Sequence, residues 1–286
     1  MKKNCFFIAF LCIYVHMVNS QEKNIHIFPP FFGRGAGPST AIDTSKVQVY
    51  YAFCASDIHD RETYRDYFCL EVGKRNVKFY SYFLEEAEVT VRDWYKTHPN
   101  ASGGPRVEPK GKYYNGWSEY QYAQWFISEG KITEYCCFPQ WLTRYNSFYE
   151  DKYPNQSWEI KKDTLSLCGY TCQKAICHFS GRTFIVWFAP QIPLRYGPWK
   201  LGGLPGLILK ATDKDELYSF ECVKIERKKK SMLKDAYKKY SKMEREKVLR
   251  LQKGINEDIG NFLKYTNQET GEPLHFYSPY KPLELE

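Results

Sequence analysis

The segment TCQKAICHFSGRTFIVWFA, residues 171–189, sets the fold class of this 286-residue chain. Two strand-like runs, Thr171–Phe179 and Thr183–Ala189, flank Ser180-Gly181-Arg182, which has the composition of a short hairpin turn. Strands this close in sequence pair antiparallel by default, because a parallel pair needs a long crossover connection.

Further strand candidates extend the pattern in both directions. Downstream, Gly206–Thr212 and Glu216–Ile225 are separated by a three-residue polar connection. Upstream, strand-like runs occupy Val47–Phe53, Phe68–Val72, Val77–Phe83, Gly130–Pro139 and Trp158–Lys161. Glu85–Thr97 favours a helix. Aromatic residues form 17% of the chain and prefer pleated surfaces, so the sequence predicts a mainly β protein with an antiparallel sheet.

Residues 1–20 have the pattern of a secretory signal peptide. Lys2 and Lys3 form a basic start, Cys5–Val18 is an apolar run, and the small residues Val18 and Ser20 precede the expected cleavage site. We therefore expect a secreted protein, located in the periplasm or at the cell surface after cleavage.

Eight cysteines remain after the predicted cleavage, and an oxidising compartment favours disulfides. The disulfide candidates are Cys54, Cys69, Cys136, Cys137, Cys168, Cys172, Cys177 and Cys222. Their connectivity does not follow from the sequence. The run from Cys168 to His178 is the alternative for a metal or redox site, but its spacing is irregular for zinc, so no metal is predicted. Cys172 and Cys177 have opposite strand parity, which predicts opposite faces.

The segment Tyr196–Asp213, YGPWKLGGLPGLILKATD, raises the question of a phosphate-binding loop. It contains neither GxxxxGK[ST] nor GxGxxG, and its two prolines lack the N–H groups that a phosphate cradle uses. A tight reversal between two strands fits better. The predicted turn residues are Gly197, Gly202, Gly203, Pro205 and Gly206.

Four motifs, in order over about forty residues, resemble the GLPGLI family of secreted bacterial proteins. They are GYTCQKA at 169–175, GRTFIVWFAPQIP at 181–193, GPWK at 197–200 and GLPGLI itself at 203–208. The resemblance implies export and a mostly antiparallel β domain, and it carries over no catalytic residue. The pattern also loosely resembles the open half-barrel of periplasmic lipoprotein carriers, so we expect a curved sheet.

Aromatic and leucine side chains cluster around the glycine-rich turn. Core packing is one interpretation, and the rim of a hydrophobic groove is the other. The predicted rim-binding residues are Trp187, Phe188, Tyr196, Trp199, Leu204 and Leu207. Four prolines in the same stretch would stiffen such a rim, which suits binding better than catalysis; they are Pro190, Pro193, Pro198 and Pro205.

The net charge of +8 is concentrated near the C-terminus, where residues 223–250 hold twelve Lys or Arg and four Asp or Glu. Apolar residues at three- and four-residue steps predict an amphipathic helix over Ser231–Tyr265, bent at Gly254. The helix could pack on the β domain, pair with a partner helix or contact an anionic surface peripherally. No nucleic-acid motif accompanies the charge, so nucleic acid is not an expected partner.

These observations predict four segments: a signal peptide (1–20), an extended lead-in (21–45), a β domain (46–226) and a basic amphipathic helix with a tail (227–286). No catalytic motif, catalytic residue or cofactor is predicted. The expected function is a non-catalytic binding module for an apolar ligand, a lipidated protein or an envelope protein partner. The alternatives are a cysteine-rich metal or redox protein and a structural envelope protein without a ligand.

Overall fold

The computed structural model describes residues 27, 29–30, 33–35, 37–113, 116–278 and 280–285, so the predicted signal peptide lies outside it. The strands are β1 (Ser39–Ser45), β2 (Val47–Phe53), β3 (Asp66–Val72), β4 (Asn76–Ser81), β5 (Ala123–Ser128), β6 (Lys131–Cys136), β7 (Ser147–Lys152), β8 (Glu159–Leu167), β9 (Tyr170–Phe179), β10 (Arg182–Ala189), β11 (Leu207–Asp213), β12 (Ser219–Glu226), β13 (Lys230–Asp235) and β14 (Ser241–Lys242). The helices are α1 (Tyr82–Thr97), α2 (Glu119–Tyr122), α3 (Arg245–Glu257) and α4 (Ile259–Leu263).

Within the described residues, twelve strands form one sheet in the order β14-β7-β6-β5-β4-β3-β2-β12-β11-β10-β9-β8. Every neighbouring pair is antiparallel except β14 and β7. The sheet is not closed, because β14 and β8 are its edges. The predicted class, a mainly β protein with a large antiparallel sheet and a C-terminal helix, is confirmed.

The β9–β10 hairpin has the predicted arrangement. Arg182 pairs with Phe179 across the Ser180–Gly181 turn, and the register continues to Phe188. Phe184, Val186 and Phe188 of β10 are buried because alternate residues of a strand face the core.

The main core packs against one face of this sheet. It includes side chains from strands that are far apart in the strand order. Trp125 of β5 and Phe184 of β10 belong to the same buried cluster. The loop between β10 and β11 also enters this core, where Leu201 and Leu204 are buried. Lys200 of that loop donates from Nζ to the hydroxyl oxygen of Tyr149 in β7 over 2.9 Å. The loop therefore fills the core that the sheet surrounds.

The described part of the lead-in is attached to the rest of the chain. β1 pairs antiparallel with β13, with Ser39 opposite Asp235. The backbone N–H of Arg34 donates to Oε1 of Glu88 in α1 over 2.6 Å, and its carbonyl accepts from the Tyr240 hydroxyl over 2.8 Å.

The predicted C-terminal helix is wrong before Arg245, since residues 230–235 and 241–242 are strands and the helix begins only at Arg245. Tyr237 has φ +48°, which a right-handed helix cannot contain. Its ring instead stacks on Tyr135, so tertiary packing overrides the local helical pattern.

The predicted bend is also displaced. α3 runs through Gly254, and the break falls at Asp258, whose side chain accepts from the backbone N–H of Asn261 and so caps α4. The apolar stripe of α3 packs on the β structure, since Val248 and Ile255 are fully buried. The division of the chain into domains stays a prediction. No described helix is long and apolar enough to cross a membrane.

Candidate binding sites

The structure places the predicted rim residues in the protein core. Phe188, Trp199, Leu204 and Leu207 are buried, and Trp187 and Tyr196 are half-buried against the same cluster. The loop folds into the sheet instead of standing at its edge, so these side chains fill the interior that a ligand would occupy. Their role in binding stays a prediction, and the core interpretation fits their burial.

The predicted turn glycines serve close approach more than chain reversal. A Cβ on Gly197 would lie 2.8 Å from Cβ of Ile208, and one on Gly202 would lie 2.8 Å from the carbonyl oxygen of Arg195. Gly203 has φ +87°, a conformation that favours glycine. Pro205 is exposed between Leu204 and Gly206.

The eight cysteines of the described chain are free thiols, so the predicted disulfides are not formed in this structure. Cys172 and Cys177 are both buried in the main core, which corrects the expectation of opposite faces. Cys136 and Cys137 are buried together in a second cluster. Among the described residues, no group of three or more potential ligands is placed to hold a metal ion.

The larger of two cavities in the described part of the chain lies between α1, the lead-in and β13, and we call it the helix cavity. It has a volume of about 580 Å³. Leu84, Ala87 and Val91 line it from one face of α1, because residues three and four apart share a helix face. Val107 and Leu233 contribute to the other walls. Most of the lining is apolar.

A buried ionic cluster borders the helix cavity. The guanidinium of Arg34 pairs with Glu85, at 2.9 Å, and with Glu88. Burial raises the pKa of Glu88 above its usual range despite the nearby charge of Arg34. Burial also opposes ionisation of Glu85, but the charges of Arg34 and Lys78 outweigh it and lower the pKa of Glu85. The cation therefore holds one carboxylate firmly ionised and leaves the other easier to protonate.

A second cavity of about 290 Å³ lies between α2, the start of β12, α3 and the C-terminal segment, and we call it the tyrosine pocket. Its walls include Tyr113, Tyr120, Tyr218 and Tyr280. The Tyr120 and Tyr218 rings meet edge to face, with centroids 5.9 Å apart. Arg65, Lys112 and Lys281 also line the pocket.

The polar centre of the tyrosine pocket is a buried carboxyl. Glu119 accepts from the Tyr280 hydroxyl over 2.7 Å and from Nδ2 of Asn256 over 3.1 Å. Burial raises the pKa of Glu119, although these bonds oppose the shift. Behind the pocket wall, Tyr113 donates to Asp66 over 2.8 Å, and burial raises the pKa of Asp66 to about 7. Two carboxyls with perturbed pKa values therefore lie at or beside this pocket.

Sequence patterns identified neither cavity. The acids of α1 supported only the prediction of a helix, and nothing local links Arg34 to Glu88, 54 residues away. Glu119 lies 161 residues before Tyr280, so only the folded chain brings them together. The one available signal was the cluster of aromatic residues around Glu119 in the stretch WSEYQY, residues 117–122.

Comparison with known proteins gives a partial family match. The family described as "N-glycanase peptide, N-terminal domain" matches residues 128–249, less than half of the chain. Structures of PNGF-II in two space groups are similar, with 13% and 12% sequence identity and a TM-score of 0.47 each. They cover 73% and 75% of this chain, which spans only about a third of theirs, 33% and 34%. No curated protein matches.

Proposed function

We propose that this chain is a secreted, non-catalytic binding domain that holds a ligand with an apolar body in the helix cavity. The observation that carries the proposal is the cavity itself, whose volume of about 580 Å³ lies within the range of small-molecule sites. Secretion rests on the signal-peptide pattern and on the resemblance to the GLPGLI family.

The wall formed by α1 supports binding, because this helix is held at its start and along its buried side. Ser81 caps its N-terminus by accepting from the backbone N–H of Leu84 over 3.1 Å. Arg34 anchors its first two turns, through Glu85 in the first and Glu88 in the second. A rigid wall reduces the entropy lost on binding, which favours affinity.

The charges near the cavity suggest how a ligand would be oriented. Arg92, Arg106 and Glu108 line it and are exposed, while Leu84 and Ala87 are buried. Arg106 pairs with Glu108 at 3.0 Å, so the rim offers both signs of charge. The ligand would place its apolar body against α1 and keep a polar end in water.

The test is a substitution that fills the cavity. Ala87→Trp places an indole in the space, and Val91→Trp does the same one turn later on the same face. Val89→Trp is the matched control, because Val89 is 38% exposed and does not line the cavity. The probe is the neutral fluorophore N-phenyl-1-naphthylamine, titrated into each purified protein.

We expect Ala87→Trp and Val91→Trp to raise the Kd of the probe at least about tenfold, equivalent to roughly 1.4 kcal/mol, and the control to leave it unchanged. Thermal melts verify that each variant is folded. Equal affinity in all four proteins would show that the probe binds elsewhere and would remove support for the helix cavity.

A second candidate function is recognition of a glycan in the tyrosine pocket. Aromatic walls that stack on sugar rings, with a carboxyl and an amide to hydrogen-bond hydroxyls, suit a carbohydrate. The partial match to an N-glycanase N-terminal domain favours the same ligand class. Tyr280→Phe removes the hydroxyl that contacts Glu119, and Tyr277→Phe is the control because Tyr277 is 77% exposed.

The assay compares an N-linked glycopeptide with the same peptide lacking its glycan. Calorimetry measures the affinity of each peptide, and mass spectrometry shows whether the glycan stays attached. We expect weaker binding of the glycopeptide by Tyr280→Phe alone. Equal binding of both peptides would exclude glycan recognition. Release of the glycan during incubation would contradict the non-catalytic part of the proposal.

A further inference from the structure

We propose that Cys168 and Cys222 form a reversible disulfide that fastens the β8–β9 hairpin to the centre of the sheet. Their sulfur atoms are 3.6 Å apart. The Cys168 thiol also donates to the carbonyl oxygen of Cys222 over 3.0 Å. The two side chains already face each other, although they are 54 residues apart in sequence.

The turn between β8 and β9 accounts for this approach. Cys168 has φ +49° and Gly169 has φ +78°, and Leu167 pairs with Tyr170 across them. Two central residues with positive φ make a type I′ hairpin turn. The turn aims the Cys168 side chain at the neighbouring surface.

The contact crosses the face of the sheet. β10 and β11 separate β9 from β12 in the strand order, so the hairpin tip reaches Cys222 over the sheet and not along its edge. Arg227, just after β12, donates to the Tyr170 hydroxyl over 3.3 Å and supports the same approach. A covalent bond here would hold an edge hairpin to a central strand.

The two thiols differ in exposure, and Cys168 is the one that an oxidant can reach. Cys168 is exposed, and its hydrogen bond with Cys222 lowers its pKa. The same bond and burial raise the pKa of Cys222. Burial raises the pKa of Cys172 to about 11 and that of Cys177 to about 12, so these thiols are poor nucleophiles. Cys168 is therefore the first to react.

The oxidant is a second disulfide, either a small molecule such as oxidised glutathione or a protein disulfide. The Cys168 thiolate attacks one sulfur of the donor, forms a mixed disulfide and releases one donor thiolate. The Cys222 thiolate then attacks the Cys168 sulfur and displaces the second donor thiolate. Two protein thiols are oxidised, one donor disulfide is reduced, and the two protons pass to the donor thiolates.

The test begins with the reduced full chain, treated with oxidised glutathione, alkylated and digested with trypsin. We expect the intact mass, taken before alkylation, to be about 2 Da lower, and the digest to contain a link between peptides 163–174 and 215–224. Peptide 163–174 contains two cysteines, so the experiment is repeated with Cys172→Ser to identify the linked one. Cys168→Ser should abolish the link, and Cys54→Ser should preserve it.

Cys222→Ser provides a second loss-of-link variant should Cys168→Ser disturb the turn. In this variant glutathione should remain attached to Cys168, because the resolving thiol is gone. Three outcomes would overturn the proposal: a link within peptide 163–174, a persistent glutathione adduct on the Cys172→Ser protein, or no reaction at Cys168.

Discussion

Gly206 is the position where a single methyl group most directly tests how the inner loop is packed. It is buried where the loop enters β11. A Cβ here would overlap the carbonyl oxygen of Ala189 and lie 2.9 Å from Cα of Pro190. Both are backbone atoms, so the contact cannot be relieved by rotating a side chain. Gly206→Ala should therefore destabilise the fold by overpacking.

Two other glycines separate overpacking from backbone strain. Gly203→Ala meets Oδ1 of Asn155 at 3.3 Å but places alanine at φ +87°. Gly103→Ala has no atom within 4 Å and no positive φ. Gly206→Ala therefore tests a steric clash, Gly203→Ala tests backbone strain, and Gly103→Ala is the control with neither effect.

The expected losses follow from these geometries. Overpacking costs typically about 1–3 kcal/mol, and the backbone contacts place Gly206→Ala near the upper end. A left-handed alanine costs roughly 1–2 kcal/mol, which sets the value for Gly203→Ala. Gly103→Ala should change stability by about 1 kcal/mol or less, in the stabilising direction, because alanine restricts the unfolded chain.

Urea unfolding followed by tryptophan fluorescence measures these differences as shifts in the midpoint at constant slope. We expect the midpoint to fall most for Gly206→Ala, less for Gly203→Ala and not at all for Gly103→Ala. An unchanged midpoint for Gly206→Ala would refute the close approach of the loop to β10 and, with it, the filled interior.

Three further predictions concern charge, pH and oxidation. Lys200→Met should lower the free energy of unfolding by about 3 kcal/mol in urea titrations, because the buried Glu134, 3.2 Å from Nζ of Lys200, loses its cation, while Glu284 keeps Arg245 at 2.6 Å. The raised pKa of Asp66, about 7, means that the folded state binds its proton more tightly than the unfolded state. Stability should therefore fall as pH rises from about 4 to about 7, and Asp66→Asn should flatten this slope in melts across that range. The Cys168–Cys222 disulfide closes a loop of about 55 residues and should stabilise the oxidised protein by roughly 4 kcal/mol over the reduced protein, and equal midpoints would count against it.

The parts of the fold that sequence could predict are those decided by near neighbours. The β9–β10 hairpin could be predicted because Phe179 and Arg182 pair across only two residues. β13 was not, because Asp235 pairs with Ser39 at the other end of the chain. A helical pattern in the sequence did not reveal that Tyr237 would adopt a left-handed conformation to stack on Tyr135.

The candidate sites were harder to predict from the sequence than the fold. A cluster of aromatic residues beside glycines is consistent with a rim or with a core, and the distinction depends on where the loop travels. Here the hydrogen bond from Lys200 to Tyr149 in β7 holds the loop in the protein core. The helix cavity depends on Arg34 meeting Glu85 and Glu88, and charge pairs at such separations leave no periodic signal in a single sequence.

Native mass spectrometry of the mature protein, purified after secretion and compared under native and denaturing conditions, tests the binding proposal most directly. The wild-type protein and Val89→Trp should carry the same additional mass, which denaturation releases, and Ala87→Trp should lose most of it. A bare mass for all three proteins, together with unchanged affinity of the Ala87→Trp variant for the apolar fluorophore, would contradict a ligand in the helix cavity.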